Sequence, residues 1–145
     1  MKRTLLVILT ALALSACSIM PEADVPEFED LDHAWYWIKT NIEYVSDMEA
    51  HGKRDYWQYA YETIELGTGD CEDICILFLD IAKKQFGMDL EAGLVSWIED
   101  GERIGHMHPK VNGEYFAGFF MKKEGFIEDK VLDYPLLLSI IRLYR

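Results

Sequence analysis

Hydrophobic positions in the first two thirds of the chain predict helices. Apolar residues at spacings of three and four predict an amphipathic helix from about residue 32, capped by Asp30 or Asp32: Ala34, Trp35, Ile38, Ile42 and Val45. A short helical turn is predicted over residues 61–66. The most apolar helix is predicted over Cys71–Phe86 and ends at Gly87. Its apolar residues cover more than one face, so we expect this helix to be central.

The pattern then changes to one typical of strands. A strand is predicted over residues 94–98, and the turn-forming residues 99–102 lead into a second strand over residues 103–111. Asn112-Gly113 is a strong signal for a two-residue hairpin turn, and it predicts a third strand over residues 114–121. Three consecutive antiparallel strands are therefore expected.

The last part of the chain completes the predicted fold. Residues 122–131 are charged and have no clear pattern, whereas Pro135 begins an apolar helix that reaches Leu143. Helices that precede and follow a small antiparallel sheet indicate an α+β fold, with the central helix packed on the sheet.

Residues 1–16 have the layout of an export signal. Lys2 and Arg3 precede an apolar run over residues 5–14. This run is too short to span about 30 Å of hydrocarbon, which needs roughly 20 residues. Leu14-Ser15-Ala16-Cys17 resembles the lipobox of bacterial lipoproteins.

The lipobox resemblance implies that Cys17 becomes the first residue of the mature protein and carries fatty acyl chains such as palmitate. Ser18 implies the outer membrane if the cell is Gram-negative. The alternative is an ordinary secreted protein in which Cys17 has no such role.

Composition limits the classes of partner. Residues 17–31 contain two prolines and predict a tether, and residues 32–145 predict one domain. Without residues 1–16 the chain has 12 basic and 26 acidic residues, a net charge of −14. This charge disfavours nucleic acid as a partner, because phosphate groups would be repelled.

Cys71 stands where a glycine-rich turn, Gly67-Thr68-Gly69-Asp70, becomes a helix. Unpaired N–H groups and the helix dipole at such a position favour a thiolate and predict a lowered pKa. A thiolate is a nucleophile for acyl transfer. The alternative is a buried cysteine that acts as a small hydrophobic residue. Asp70 and Asp73 are expected to be structural, as a helix cap and as an acceptor for loop amides.

The segments 56–63 and 67–73, with the sequences YWQYAYET and GTGDCED, resemble the bacterial transglutaminase-like cysteine peptidase superfamily. The resemblance covers about residues 32–120. It implies a transglutaminase-like (papain-like) fold with Cys71 as nucleophile and a histidine on the second strand as general base. His106 occupies that position, and His108, two residues further on the same strand face, is the reserve candidate.

The resemblance also implies an oxyanion site and a third catalytic residue. The backbone N–H of Cys71, together with Trp57 or Gln58, would stabilise the oxyanion. The family's aspartate lies across the hairpin from the histidine, but the turn at Asn112-Gly113 pairs His106 with Phe119. Three alternatives remain: a carboxylate from elsewhere, a Cys-His dyad, or lost activity. The candidate carboxylates are Glu124, Asp129 and Asp133.

The leading functional hypothesis is thiol-dependent acyl transfer outside the cytoplasm. A peptidase or amidase acting on a peptide or protein is favoured over a cross-linking enzyme, and no cofactor or metal is expected. One alternative is an inactive transglutaminase-like binding module. Another is a zinc site formed by the thiols and imidazoles of the chain: Cys71, Cys75, His106 and His108.

Overall fold

The computed structural model describes residues 24–117, 123 and 125–145. In chain order its elements are α1 (Leu31–Asn41), β1 (Glu43–Tyr44), α2 (Asp47–His51), α3 (Ala60–Leu66), β2 (Thr68–Gly69), α4 (Cys71–Phe86), β3 (Glu91–Glu99), β4 (Glu102–Val111), β5 (Glu114–Tyr115), β6 (Ile127–Asp133) and α5 (Tyr134–Ile141). The chain is thus a mixture of helices and a small antiparallel sheet, which confirms the α+β class. Within the described residues, no helix is long and apolar enough to cross a membrane.

Helix α4 is central, as its sequence predicts. It begins at Cys71 and ends at Phe86, and Gly87 adopts the left-handed conformation at its C-terminus (φ 66°). The helix is buried almost continuously from Ile74 to Ala82. Helices α1, α3 and α5 and strand β4 all pack against it. The ring of Phe78 contacts Phe116, with 4.8 Å between ring centroids, and so joins the helix to the segment after β5.

Helix α1 is shorter than predicted. Asp30 caps its N-terminus by accepting a hydrogen bond from the His33 N–H at 2.8 Å, as expected. The chain becomes extended at Ile42, so the predicted helical residue Val45 lies outside the helix. Tyr44 pairs in parallel with Gly69. This short contact places β1 beside the turn that leads into α4.

The main sheet has four strands in the order β5-β4-β3-β6. β3 and β4 form the predicted hairpin, with Val95 opposite His106 and Leu94 opposite Met107. Asn112-Gly113 also forms the predicted turn, because Val111 pairs with Glu114. The third predicted strand is confirmed only at Glu114–Tyr115; Phe116 and Ala117 leave the sheet, and the rest of that prediction lies outside the described residues.

Strand β6 was not predicted. It pairs antiparallel with β3 along the edge of the sheet, within the region that the sequence pattern left unassigned. Most of its side chains are exposed, and Leu132 alone is fully buried in the core. An exposed edge strand carries charged residues on both faces, so it lacks the apolar alternation that identifies strands.

Part of the predicted tether is packed against the domain. The backbone N–H of Phe28 donates to Gln85 Oε1 at 2.9 Å, and Gln85 Nε2 donates to the carbonyl of Pro26 at 2.8 Å. These bonds attach residues 26–28 to the C-terminal half of α4.

Candidate active site

The turn before α4 is held by the two aspartates that were expected to be structural. Asp70 caps the helix by accepting from the Glu72 N–H at 3.3 Å. Asp73 accepts from the backbone N–H of Gln58 at 2.7 Å and from that of Asp70 at 3.3 Å. Asp73 is fully buried. Both predicted roles are confirmed, and together they fix the first turn of α4, where Cys71 lies.

Cys71 lies against strand β4. Its side chain is buried, with 7% of its surface exposed, and the backbone N–H of Met107 lies close enough to the sulfur to lower the pKa of the thiol. Met107 stands between His106 and His108 in the sequence. The structure therefore brings the predicted nucleophile to the strand segment that carries both candidate bases.

The two histidines share one face of β4, as their spacing predicts. Their ring centroids are 4.5 Å apart, and the ring of Trp97 on β3 contacts His106 edge-on at 5.8 Å. Met107 points to the opposite face and is fully buried in the core. His106 is half-buried and His108 is buried.

Burial favours the neutral form of both imidazoles. Burial lowers the pKa of His106, while the nearby negative charge of Asp70 acts in the opposite direction. Burial and the neighbouring His106 lower the pKa of His108 to about 4. At neutral pH both side chains are therefore uncharged, and a neutral imidazole can accept a proton.

The prediction of a lowered Cys71 pKa was wrong. Burial raises the pKa of this thiol well above its ordinary value, and the carboxyls of Glu72 and Asp70 raise it further. The Met107 N–H lowers it but is outweighed. The physical reason is that the thiolate would lie in a water-poor site beside two carboxyl groups, and this cost exceeds the benefit of the helix N-terminus.

Glu72 is a site residue that the sequence reasoning missed. Cys71 Sγ donates to Glu72 Oε2 at 2.7 Å. Burial and the charge of Asp70 raise the pKa of Glu72 to about 8. An acidic residue directly after the cysteine was the available signal.

The two predicted oxyanion donors form other hydrogen bonds. The indole Nε1 of Trp57 donates to Asp55 Oδ1 at 2.8 Å. Gln58 Nε2 donates to Asp73 Oδ2 at 2.6 Å and lies 3.4 Å from the carbonyl oxygen of Thr68. Gln58 thus supports the turn before α4, whereas Trp57 is bonded within its own loop. The backbone N–H of Met107 lies near the sulfur, which the sequence did not indicate.

The described candidates for a third catalytic residue are engaged elsewhere. Asp129 forms an ion pair with Arg103 at 2.6 Å. Asp133 caps α5 by accepting from the Leu136 N–H at 2.8 Å. Glu124 and Phe119, the predicted partner of His106, lie outside the described residues.

The proposed zinc ligands do not gather. Among the described residues, the groups of three or more metal-ligating side chains are Asp70-Cys71-Glu72 and Asp47-Asp70-Asp73, with ligand atoms within 4.8 Å of one another. Neither group includes Cys75, His106 or His108. Cys75 is fully buried in the core one turn beyond Cys71, which keeps it away from the imidazoles. The described side chains thus do not form the expected four-ligand zinc group, and the oxygen-rich groups would suit a hard cation better than zinc.

A cavity of about 280 Å³ opens at the face of β4 that carries the two histidines. Tyr44, Trp97, Ile104 and the two histidines line it. Tyr44 is held there by the pairing of its backbone with Gly69, two residues before Cys71. Burial, and then the nearby charges of Cys71 and Asp70, raise the pKa of the Tyr44 phenol to about 12. Tyr44 thus lines the cavity and also lies near Cys71.

No model of a known protein family matches the chain, and no curated protein matches it. The resemblance to transglutaminase-like peptidases accordingly rests on the motif around Cys71 and on the position of His106.

Proposed function

We propose that the protein is a thiol-dependent acyl-transfer enzyme, a peptidase or amidase, with a transglutaminase-like domain. One observation carries the proposal: the sulfur at the N-terminus of α4 lies close to the backbone N–H of Met107, between His106 and His108, and the two histidines line a cavity. A nucleophile and a neutral base are groups that acyl transfer requires.

The chemistry follows from these groups. His106 takes the Cys71 proton as the sulfur attacks the carbonyl carbon of an amide, and the Met107 N–H remains near the sulfur as the charge moves. The C–N bond then breaks, and His106 returns the proton to the leaving amine. Water, activated by His106, hydrolyses the thioester and restores the thiol. Hydrolysis is favoured over cross-linking because water is always available as the acceptor.

Glu72 makes the resting thiol unreactive in this scheme. The Cys71 S–H donates to the Glu72 carboxyl, so His106 must replace Glu72 as the acceptor before attack. His106 is preferred to His108 because His108 is more deeply buried and has its pKa lowered to about 4, which makes it a weaker base.

The alternative function is an inactive binding module of the same fold. The raised pKa of Cys71 favours it, because reactive cysteines usually have a lowered pKa. Loss of the family's catalytic aspartate would likewise favour the inactive binding module.

Alkylation of Cys71 by iodoacetamide separates these functions. The soluble chain with Cys17→Ser and Cys75→Ser would be compared with its His106→Ala, His108→Ala and His33→Ala variants between pH 6 and 10. A working Cys-His pair predicts that His106→Ala slows alkylation at neutral pH by at least roughly tenfold. His33, which is exposed on α1, should have no effect. A rate that is indifferent to both His106 and His108 would contradict the enzyme and support the binding module.

We also propose that the mature protein is a lipoprotein of the cell envelope. Lipidated Cys17 would attach it to a membrane, facing the periplasm or the exterior. The packed residues 26–28 leave a short connection between lipid and domain. A peptide or protein near the membrane surface is then the accessible substrate.

A further inference from the structure

The cavity that the two histidines line has walls of mainly apolar and neutral character. Tyr44 and Trp97 contribute aromatic rings, and Ile104 contributes an aliphatic side chain. The two imidazoles that complete this wall are held neutral by burial. Binding of an apolar group to such a surface is favourable because it removes the group from water.

Among the described residues that line the cavity, Lys123 carries a cationic side chain, and this side chain is already paired: its Nζ forms an ion pair with Glu99 at 3.1 Å. No carboxylate belongs to the described residues that line the cavity. An acidic side chain would also approach Asp70 and Glu72, whose carboxyls raise the pKa of the adjacent thiol.

The size of the cavity limits its occupant. At about 280 Å³ it lies just below the range of roughly 300–1,000 Å³ typical of sites for whole drug-sized ligands. It matches one large side chain that extends from a peptide whose amide lies at the sulfur.

We propose that this cavity is the specificity subsite of the enzyme, and that it binds a bulky apolar side chain, aromatic or branched aliphatic, next to the amide that Cys71 attacks. The inference rests on the proposed function. It assigns Ile104 as a specificity-determining residue, because its side chain forms a wall of the cavity on the strand that carries the base.

Five thiol-directed probes test the subsite directly. N-acetyl-aminoacyl acyloxymethyl ketones of Phe, Leu, Ala, Glu and Lys differ only in the side chain offered to the cavity. Each labels a cysteine by forming a thioether as the carboxylate leaves. Labelling of Cys71 would be followed by mass spectrometry in the soluble chain with Cys17→Ser and Cys75→Ser.

The Phe and Leu probes should label Cys71 at least about tenfold faster than the Ala, Glu and Lys probes, a difference of about 1.4 kcal/mol. Ile104→Trp should remove this preference by filling the cavity, and Ile104→Ala should weaken it. Ile98→Trp is the matched control, because Ile98 is 62% exposed on the adjacent strand and does not line the cavity. The melting temperature of each variant would be measured to confirm folding.

The outcomes distinguish the inference from the function. Equal labelling by the five probes, or faster labelling by Lys or Glu, would overturn the apolar subsite. If iodoacetamide alkylation of Cys71 still depended on His106, the proposed function would stand without the apolar subsite. A preference that Ile104→Trp and Ile98→Trp leave equally unchanged would also overturn the assignment. Loss of both the preference and the His106 dependence would refute subsite and function together.

Discussion

Two neighbouring groups act on the thiol of Cys71 with opposite effects. The Met107 N–H lowers the pKa of the thiol, whereas the Glu72 carboxyl, as an acceptor and as a negative charge, raises it. As pH rises, Glu72 loses its proton first, at about pH 8, and the new charge then holds the proton on sulfur. The reactivity of the site is therefore set by a neighbouring residue as well as by the helix N-terminus.

Glu72→Gln should lower the pKa of the Cys71 thiol by about one unit or more, because it removes a negative charge in contact with the sulfur. The measurement is the pH profile of iodoacetamide alkylation with Cys17→Ser and Cys75→Ser. Glu65→Gln is the control, since Glu65 is exposed on α3. An unchanged thiol pKa in Glu72→Gln would show that burial alone determines it.

Glu72 should also make stability depend on pH. Its pKa is raised from 4.5 to about 8 in the folded state, so between these values the folded chain holds a proton that the unfolded chain has lost. The free energy of unfolding therefore falls as pH rises through this window, by at most about 1.4 kcal/mol per pH unit. Near pH 5 the Glu72→Gln chain should be as stable as the parent chain or less stable. Towards pH 8 its free energy of unfolding should rise relative to that of the parent chain.

Urea unfolding at pH 5, 6, 7 and 8 would measure this difference. The comparison with the parent chain matters because Asp73, whose pKa is raised to about 7 by burial, contributes a slope of the same sign. A difference between Glu72→Gln and the parent that stays constant over this range would contradict the raised pKa of Glu72.

Among secondary-structure elements, the approach of β2 to α4 determines where Cys71 lies. Gly69 has no room for a side chain, because an added Cβ would lie 2.7 Å from Asp73 Cβ and 3.3 Å from Thr63 Cγ2. Its backbone also pairs with Tyr44. A single close contact thus positions the cavity wall, the buried Asp73 and the first turn of α4.

Gly69→Ala should destabilise the protein by about 1–3 kcal/mol, as expected for overpacking in a buried site. Gly105→Ala is the control, because a Cβ there meets nothing within 4 Å, and it should change stability by less than about 1 kcal/mol. Urea unfolding at one pH measures both. Equal effects of the two substitutions would show that the β2–α4 contact relaxes without cost.

The elements with strong periodicity or specific turn residues could be predicted from the sequence. Helix α4 satisfies both conditions, from its Asp70 cap to Gly87, and the turn at Asn112-Gly113 has the expected register. Strand β6 could not be predicted, because its pairing with β3 requires little apolar surface. The positions of Cys71 and His106 followed from motif and register, but the state of the thiol depends on burial that no local pattern contains.

At the scale of the whole molecule, the two faces of strand β4 have different roles. One face of β4 contributes Met107 to the core around α4, while the other presents the two histidines to the cavity. The sulfur of Cys71 lies near the backbone N–H of Met107 on this strand. The site is therefore assembled from the sheet, the start of α4 and the β1–β2 pair, and it depends on the complete fold.

Under the lipoprotein hypothesis, the position of the chain in the cell depends on Cys17, far in sequence from this site. A lipidated cysteine would hold the protein at a bilayer, because each buried methylene contributes about 0.8 kcal/mol and two or three acyl chains act together. Cys17→Ser should therefore move the protein from the membrane fraction to the aqueous phase of a detergent partition and abolish incorporation of labelled palmitate.

The control is Cys71→Ser, which should leave membrane recovery and palmitate labelling unchanged, since Cys71 is buried inside the domain. Membrane recovery and palmitate labelling that survive Cys17→Ser would refute the lipoprotein hypothesis, whereas their loss in that variant alone would assign Cys17 to attachment and leave Cys71 for chemistry.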